Sequence, residues 1–319
     1  MKINAIDKFL YISNSNVKEI YSFLNFLYTN DGDENGLSIK FFNAFKKAYK
    51  KESINAILNR NPKKDVANKD IQDIMNLNYN EEFQKQIYNV IIHGTTEIKK
   101  AHDKYLVALK KRKEPIKYII IGEAPPFSFI KSQNGSEFEL IFENNYILSK
   151  PKAGHYQSSI KKAFNIRGKE VSKAPDIFIT GLVNKNILFF DIIPVTLPFS
   201  TDIRTGWIKQ KINEKPLLVS LLELAIKKNV ADKKIIIDPN VKVAFVTPPK
   251  TSISIFDYYS DKKLKITDEI SVDITIINDN TTKKKYNVGQ DIILPMYKAN
   301  AMMGANAPST ELLKLALDK

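Results

Sequence analysis

Residues Tyr118 to Phe127 read YIIIGEAPPF, and this stretch constrains the fold more than any other. A tyrosine followed by three isoleucines reads as a strand covered on both faces, as strands of parallel sheets are. Gly-Glu-Ala-Pro-Pro continues neither a strand nor a helix, so the chain turns there. Open α/β sheets bind ligands at the carboxyl ends of their strands, which puts Glu123 where chemistry is usually found.

The same punctuation recurs downstream. Strand-like runs at 118–122, 187–193, 241–247 and 291–297 alternate with helix-like segments such as HYQSSIKKAFNIRG and KPLLVSLLELAIKKN. This alternation predicts an α/β fold, a three-layer α/β/α sandwich around a central four-stranded parallel sheet. Each strand runs into an unusual loop: GEAPPFSF, DIIPVTLPFST, VTPPKTSIS and YKANAMMGANAPSTE. In a parallel sheet those four loops line one edge.

Before residue 116 the pattern is helical, with apolar residues three and four apart in VKEIYSFLNFLY, GLSIKFFNAFKKAYK and a long segment ending at Lys110 to Lys113. Pro115 stops that last helix, and its basic run reads as a solvated final turn. The chain therefore divides into a helical N-terminal region, 1–115, and an α/β domain, 116–319. An inserted hairpin is expected near 258–290, carrying ISVDITIIND and NTTKKKYNVGQD.

Composition removes whole classes of chemistry. Cysteine is absent, which excludes disulfides, thiolate nucleophiles and iron-sulfur clusters, and the three histidines are too scattered for a metal centre. No metal or cofactor is expected. No apolar run approaches the roughly 18 residues that span a bilayer, and the N-terminus lacks a signal peptide's order, so a cytoplasmic protein without membrane contact is expected. The net charge of +14 is spread along the chain. It favours a polyanionic partner, with nucleic acid the usual candidate; a lysine-rich composition without a dedicated surface is the alternative.

Five sets of residues could carry chemistry. Glu123, in its rigid loop, could orient a water or stabilise a developing positive charge, or it could cap a nearby helix or accept backbone N–H groups within the turn. Asp191 interrupts the apolar run ILFFDIIP, where an unpartnered charge costs several kcal/mol, so either a ligand edge or loop amides must satisfy it. Phe127 and Phe129 follow Glu123 at alternate positions, and such rings either stack on a flat ligand or fill a core. Lys250, Thr251 and Ser252 supply basic and hydroxylic groups suited to phosphate contacts at the same edge. The last loop, with Asn306, Pro308 and Ser309, leads into a terminal helix whose start offers backbone N–H groups to an anion, or is simply capped.

In their order and strand-end placement these motifs resemble the uracil-DNA glycosylase superfamily. GEAPP at 122–126 is similar to that superfamily's first motif, FFDIIPVTLP to its base-reading segment, and ANAPSTELL to its final His-Pro-Ser loop and helix. The resemblance covers residues 116–319 and leaves the N-terminal region unassigned. It implies base excision from DNA: a nucleotide flips out of the duplex into the crevice and water attacks its sugar carbon. On that resemblance Glu123 positions the water, Phe127 or Phe129 stacks on the base, and Asp191 reads it. Gly122, Ala124, Pro125 and Pro126 build the first loop, and Pro308 and Ser309 the last.

Two positions depart from the superfamily pattern. Ala307 stands where the motif has histidine, leaving the Asn306 amide as the nearby donor. Asp191 stands where it has asparagine, and an ionised carboxylate only accepts hydrogen bonds, which suits the adjacent N–H donors of a guanine-type purine better than uracil. A non-catalytic nucleic-acid-binding protein of the same fold, or a hydrolase acting on free nucleosides, are the other functions the sequence accommodates.

Overall fold

The structure is a computed structural model, and it describes residues 81–125, 129–134, 137–142, 146–149, 155–166, 175–194, 211–212, 214–247, 249–274, 292–293 and 313. In chain order the elements are α1 (Glu81–Arg112), β1 (Ile116–Gly122), β2 (Phe129–Asn134), β3 (Glu137–Phe142), α2 (His155–Ala163), α3 (Pro175–Asn184), β4 (Ile187–Asp191), β5 (Lys211–Ile212) and β6 (Lys215–Pro216). They continue with α4 (Leu217–Ile226), which runs into a π-helical turn at Lys227–Ala231, then β7 (Ile237–Val246), α5 (Pro249–Tyr259), β8 (Leu264–Lys265), β9 (Ser271–Val272) and β10 (Ile292–Ile293).

Contacts gather the chain into two compact units. One takes in Met1–Glu97, Pro126–Asn144 and Val195–Leu217, the other Ile98–Pro125, Asn145–Pro194 and Leu218–Lys319. In the first, β2 and β3 form an antiparallel hairpin that pairs Phe129 with Phe142 and Asn134 with Glu137, and β5 pairs with β6.

The second unit is built on a parallel sheet in the order β10-β7-β1-β4, which makes the protein one of the α/β class. Strand β1 is flanked by two later strands, with Gly122 opposite Asp191 on one side and Val246 on the other. β10 adds a two-residue pairing, Ile292 and Ile293 against Val243 and Ala244, on the outer side of β7. Ile119, Ile120 and Ile121 are buried in succession, as are Leu188, Phe189 and Phe190, and Val243, Ala244 and Phe245. Since neighbouring strand residues point to opposite faces, both faces of the sheet are covered.

The long helix α1 ends as its sequence requires, with Lys110, Lys111 and Arg112 in the last turn and Lys113 in the left-handed region at φ 56°. Its buried Tyr105 reaches β4, the end strand of the sheet among the described residues. The Tyr105 hydroxyl donates to the Ile187 carbonyl and accepts from the Phe189 amide at 3.1 Å. One phenol thereby partners two of the backbone groups on the outer side of this end strand.

Several expected boundaries move. β7 starts at Ile237, four residues early, because Asp238 accepts from the Asn240 amide at 2.8 Å and folds Pro239 into an irregularity within the strand. The segment PKTSIS from Pro249, expected as loop, is the first part of α5, where Pro249 suits the first helical position and Ile255 and Tyr259 bury one face. Helix α3 was not anticipated by the sequence pattern. It lies so near the end of α2 that a β-carbon on Gly181 would meet Ile166 Cγ2 at 2.4 Å. Of the hairpin expected near 258–290, the described part is the short β8–β9 ladder, Leu264 with Val272 and Lys265 with Ser271.

A carboxyl pair at the sheet edge

The chain leaves β1 towards β4 and β7 towards β10, in opposite directions, so the carboxyl ends of β1 and β7 form the sheet's topological switch point, where α/β proteins place their ligands. Glu123 follows β1 directly and is held there by the backbone. The Gly122 carbonyl accepts from Ile192 N and the Glu123 carbonyl from Ile193 N, both at 2.9 Å, so the ladder between β1 and β4 continues past both strands. Rigid Pro125, buried, follows two residues on. The Glu123 side chain is only 9% exposed.

Asp191 ends β4 opposite Gly122, and its carboxyl lies across that glycine. A β-carbon at Gly122 would meet Asp191 Oδ1 at 2.0 Å, well inside any tolerable contact. Glycine is therefore required here by a close approach of the neighbouring side chain. Asp191 is also 9% exposed. Burial, and secondly the charge of Glu123, push its carboxyl up from the ordinary 3.8 to about 8. The shift favours the protonated form, in which the carboxyl is a donor and an acceptor at once.

The third member comes from α5. Thr251, fully buried in the first turn of that helix, donates its hydroxyl to Glu123 Oε1 at 2.5 Å. This short bond joins the end of β1 to the helix that follows β7. The Thr251 hydroxyl, expected at a phosphate, is buried and donates to Glu123.

Of the residues singled out in the sequence, Gly122, Glu123, Ala124, Pro125, Asp191 and Thr251 are thus assembled at one edge. Lys250 and Ser252 flank Thr251 in the first turn of α5, not in a loop. Phe129 is the first residue of hairpin strand β2, also not a strand-end loop. Pro126, Phe127, Asn306, Pro308 and Ser309 lie outside the described residues. The acceptor-only character expected of Asp191 belongs to its ionised form, and burial beside Glu123 shifts the carboxyl towards the protonated one. The sequence carried no sign that Thr251 would partner Glu123, because the bond joins residues 128 positions apart.

Fold and site together define an α/β protein with two buried carboxyls at the carboxyl edge of a parallel sheet, that of Asp191 pushed up by burial. Comparison with protein families, with curated proteins and with solved structures gives no match to this chain. No helix among the described residues is long and apolar enough to cross a membrane.

Proposed function

We propose that this chain is a divergent protein of the uracil-DNA glycosylase type, with a three-layer α/β/α sandwich around a four-stranded sheet, which hydrolyses an N-glycosidic bond in DNA. A base flipped from the duplex enters the crevice between β1 and β7. Glu123 orients a water and takes its proton as the oxygen bonds to the sugar carbon. The bond from that carbon to the base nitrogen breaks, and the base leaves with the electron pair. Asp191 meets the base edge as a neutral acid.

The observation that carries this reading is the carboxyl pair itself: Glu123 and Asp191 at the ends of adjacent parallel strands, with Asp191 pushed up to about 8. Paired carboxyls whose environments drive them apart supply a base and an acid at one pH. A protonated Asp191 offers a donor beside an acceptor, as an amide does. It therefore matches a keto base with a carbonyl next to a ring N–H, as in uracil or hypoxanthine, and the guanine-type preference is replaced by this wider class.

The net charge of +14 supports a polyanionic substrate. A protein that keeps the crevice and binds nucleic acid without cleaving it is the second reading, favoured by Ala307 standing where a histidine donor is expected. Labelled oligonucleotides carrying uracil, hypoxanthine, xanthine or an oxidised purine, incubated with protein and then treated with alkali, separate the two. Strand breaks at a keto lesion that vanish with Glu123→Gln support hydrolysis. Retained DNA with no break at any lesion sinks it and leaves the binding protein.

A further inference from the structure

Two like carboxyls held close cannot both be charged cheaply, so one must carry a proton, and something must decide which. Glu123 from β1 and Asp191 from β4 are the titratable groups that act on each other here. From α5 the facing group is the neutral Thr251 hydroxyl, with Lys250 beside it in the chain. Both residues are buried to the same extent, each 9% exposed.

We propose that Thr251 is a positioning residue that holds Glu123 as the ionised member of the Glu123–Asp191 pair and thereby leaves the pair's proton on Asp191. A hydroxyl that donates to a carboxylate oxygen stabilises the anion more than the acid, and here both partners are out of water, where such a bond is strongest. The first turn of α5 adds to this, since Thr251 brings Glu123 Oε1 to the positive end of an 11-residue helix. The same bond fixes the rotation of the carboxylate in the crevice. The arrangement thus fixes which carboxyl is the base and which the acid, a choice the sheet leaves open.

The test needs no DNA. Only the use of Glu123 to activate water rests on the glycosylase reading. The full chain, labelled with carbon-13 at its Glu and Asp carboxyls, is titrated by NMR, with Glu123→Gln and Asp191→Asn identifying the two resonances. In Thr251→Val the Glu123 resonance is expected to titrate about one pH unit or more above wild type, the size of one lost hydrogen bond to a charged group. Thr251→Ser, which keeps the donor, titrates as wild type does. An unmoved Glu123 titration in the valine variant overturns the proposal, as does a displaced one in a folded serine variant. Should valine prevent folding, Thr251→Ala carries the same comparison. A shifted titration in a protein that cleaves no lesion leaves this proposal standing and removes the glycosylase reading. An unshifted one in an active enzyme does the reverse.

Discussion

The Asp191 carboxyl occupies the space above Gly122 that a β-carbon would fill, with Oδ1 2.0 Å from that position. Strand register produces this, because Gly122 and Asp191 are direct partners at the ends of β1 and β4. Gly122→Ala therefore must push Asp191 aside or part the two strands. A loss of about 1–3 kcal/mol, typical of overpacking a filled site, is expected in chemical denaturation. An unchanged denaturation midpoint would show that the carboxyl lies elsewhere.

The protonation of Asp191 has a defined sign in stability. Its carboxyl is raised in the folded protein from 3.8 to about 8, so between those values the folded state holds a proton that the unfolded chain has released. That contribution is complete below the lower value and is lost as pH rises through the upper one. Asp191→Asn keeps the shape without the charge. It is expected to flatten the decline and to raise Tm at neutral pH by roughly a few degrees. Melting curves of wild type and variant that stay parallel from pH 4 to pH 8 would contradict this.

Tyr105 closes the outer edge of β4, the strand that ends in Asp191, by bonding Ile187 and Phe189 together. Tyr105→Phe leaves a buried carbonyl and a buried amide without that partner. The expected cost is about 1–3 kcal/mol in denaturant unfolding. Cleavage of any substrate should fall with it only as far as β4 loosens.

A polyanionic partner makes binding salt-dependent. Affinity for a random duplex is expected to drop by about tenfold or more between roughly 50 and 200 mM salt, as condensed counterions are released. Salt-insensitive affinity for a free nucleoside would point instead to a nucleoside hydrolase.

How much of this was legible in the sequence follows the range of the forces involved. The β1 strand and its turn were readable because three isoleucines and two prolines act locally, and the placement of Glu123 followed from them. Asp191 was visible as a charge in an apolar run, but its protonation was not, since that comes from a neighbour on another strand. The β2–β3 hairpin was missed although Asn134-Gly135 is a strong local turn signal. The start of helix α5 is not legible because two prolines in VTPPKTS punctuate the chain as a loop does, and only Ile255 and Tyr259, four apart, carry the helical period. The Thr251 bond could not be read, as nothing local joins residues 123 and 251.

The central claim is that Glu123 and Asp191 work as base and acid in one pocket. Single-turnover cleavage of a uracil or hypoxanthine duplex, followed from about pH 5 to about pH 9, tests it most directly. The account expects a rate that falls as pH passes about 8, where Asp191 loses its proton, a limb that Asp191→Asn removes, and no cleavage by Glu123→Gln. A rate that holds or climbs through that range in the wild type, or cleavage that survives Glu123→Gln, would contradict it.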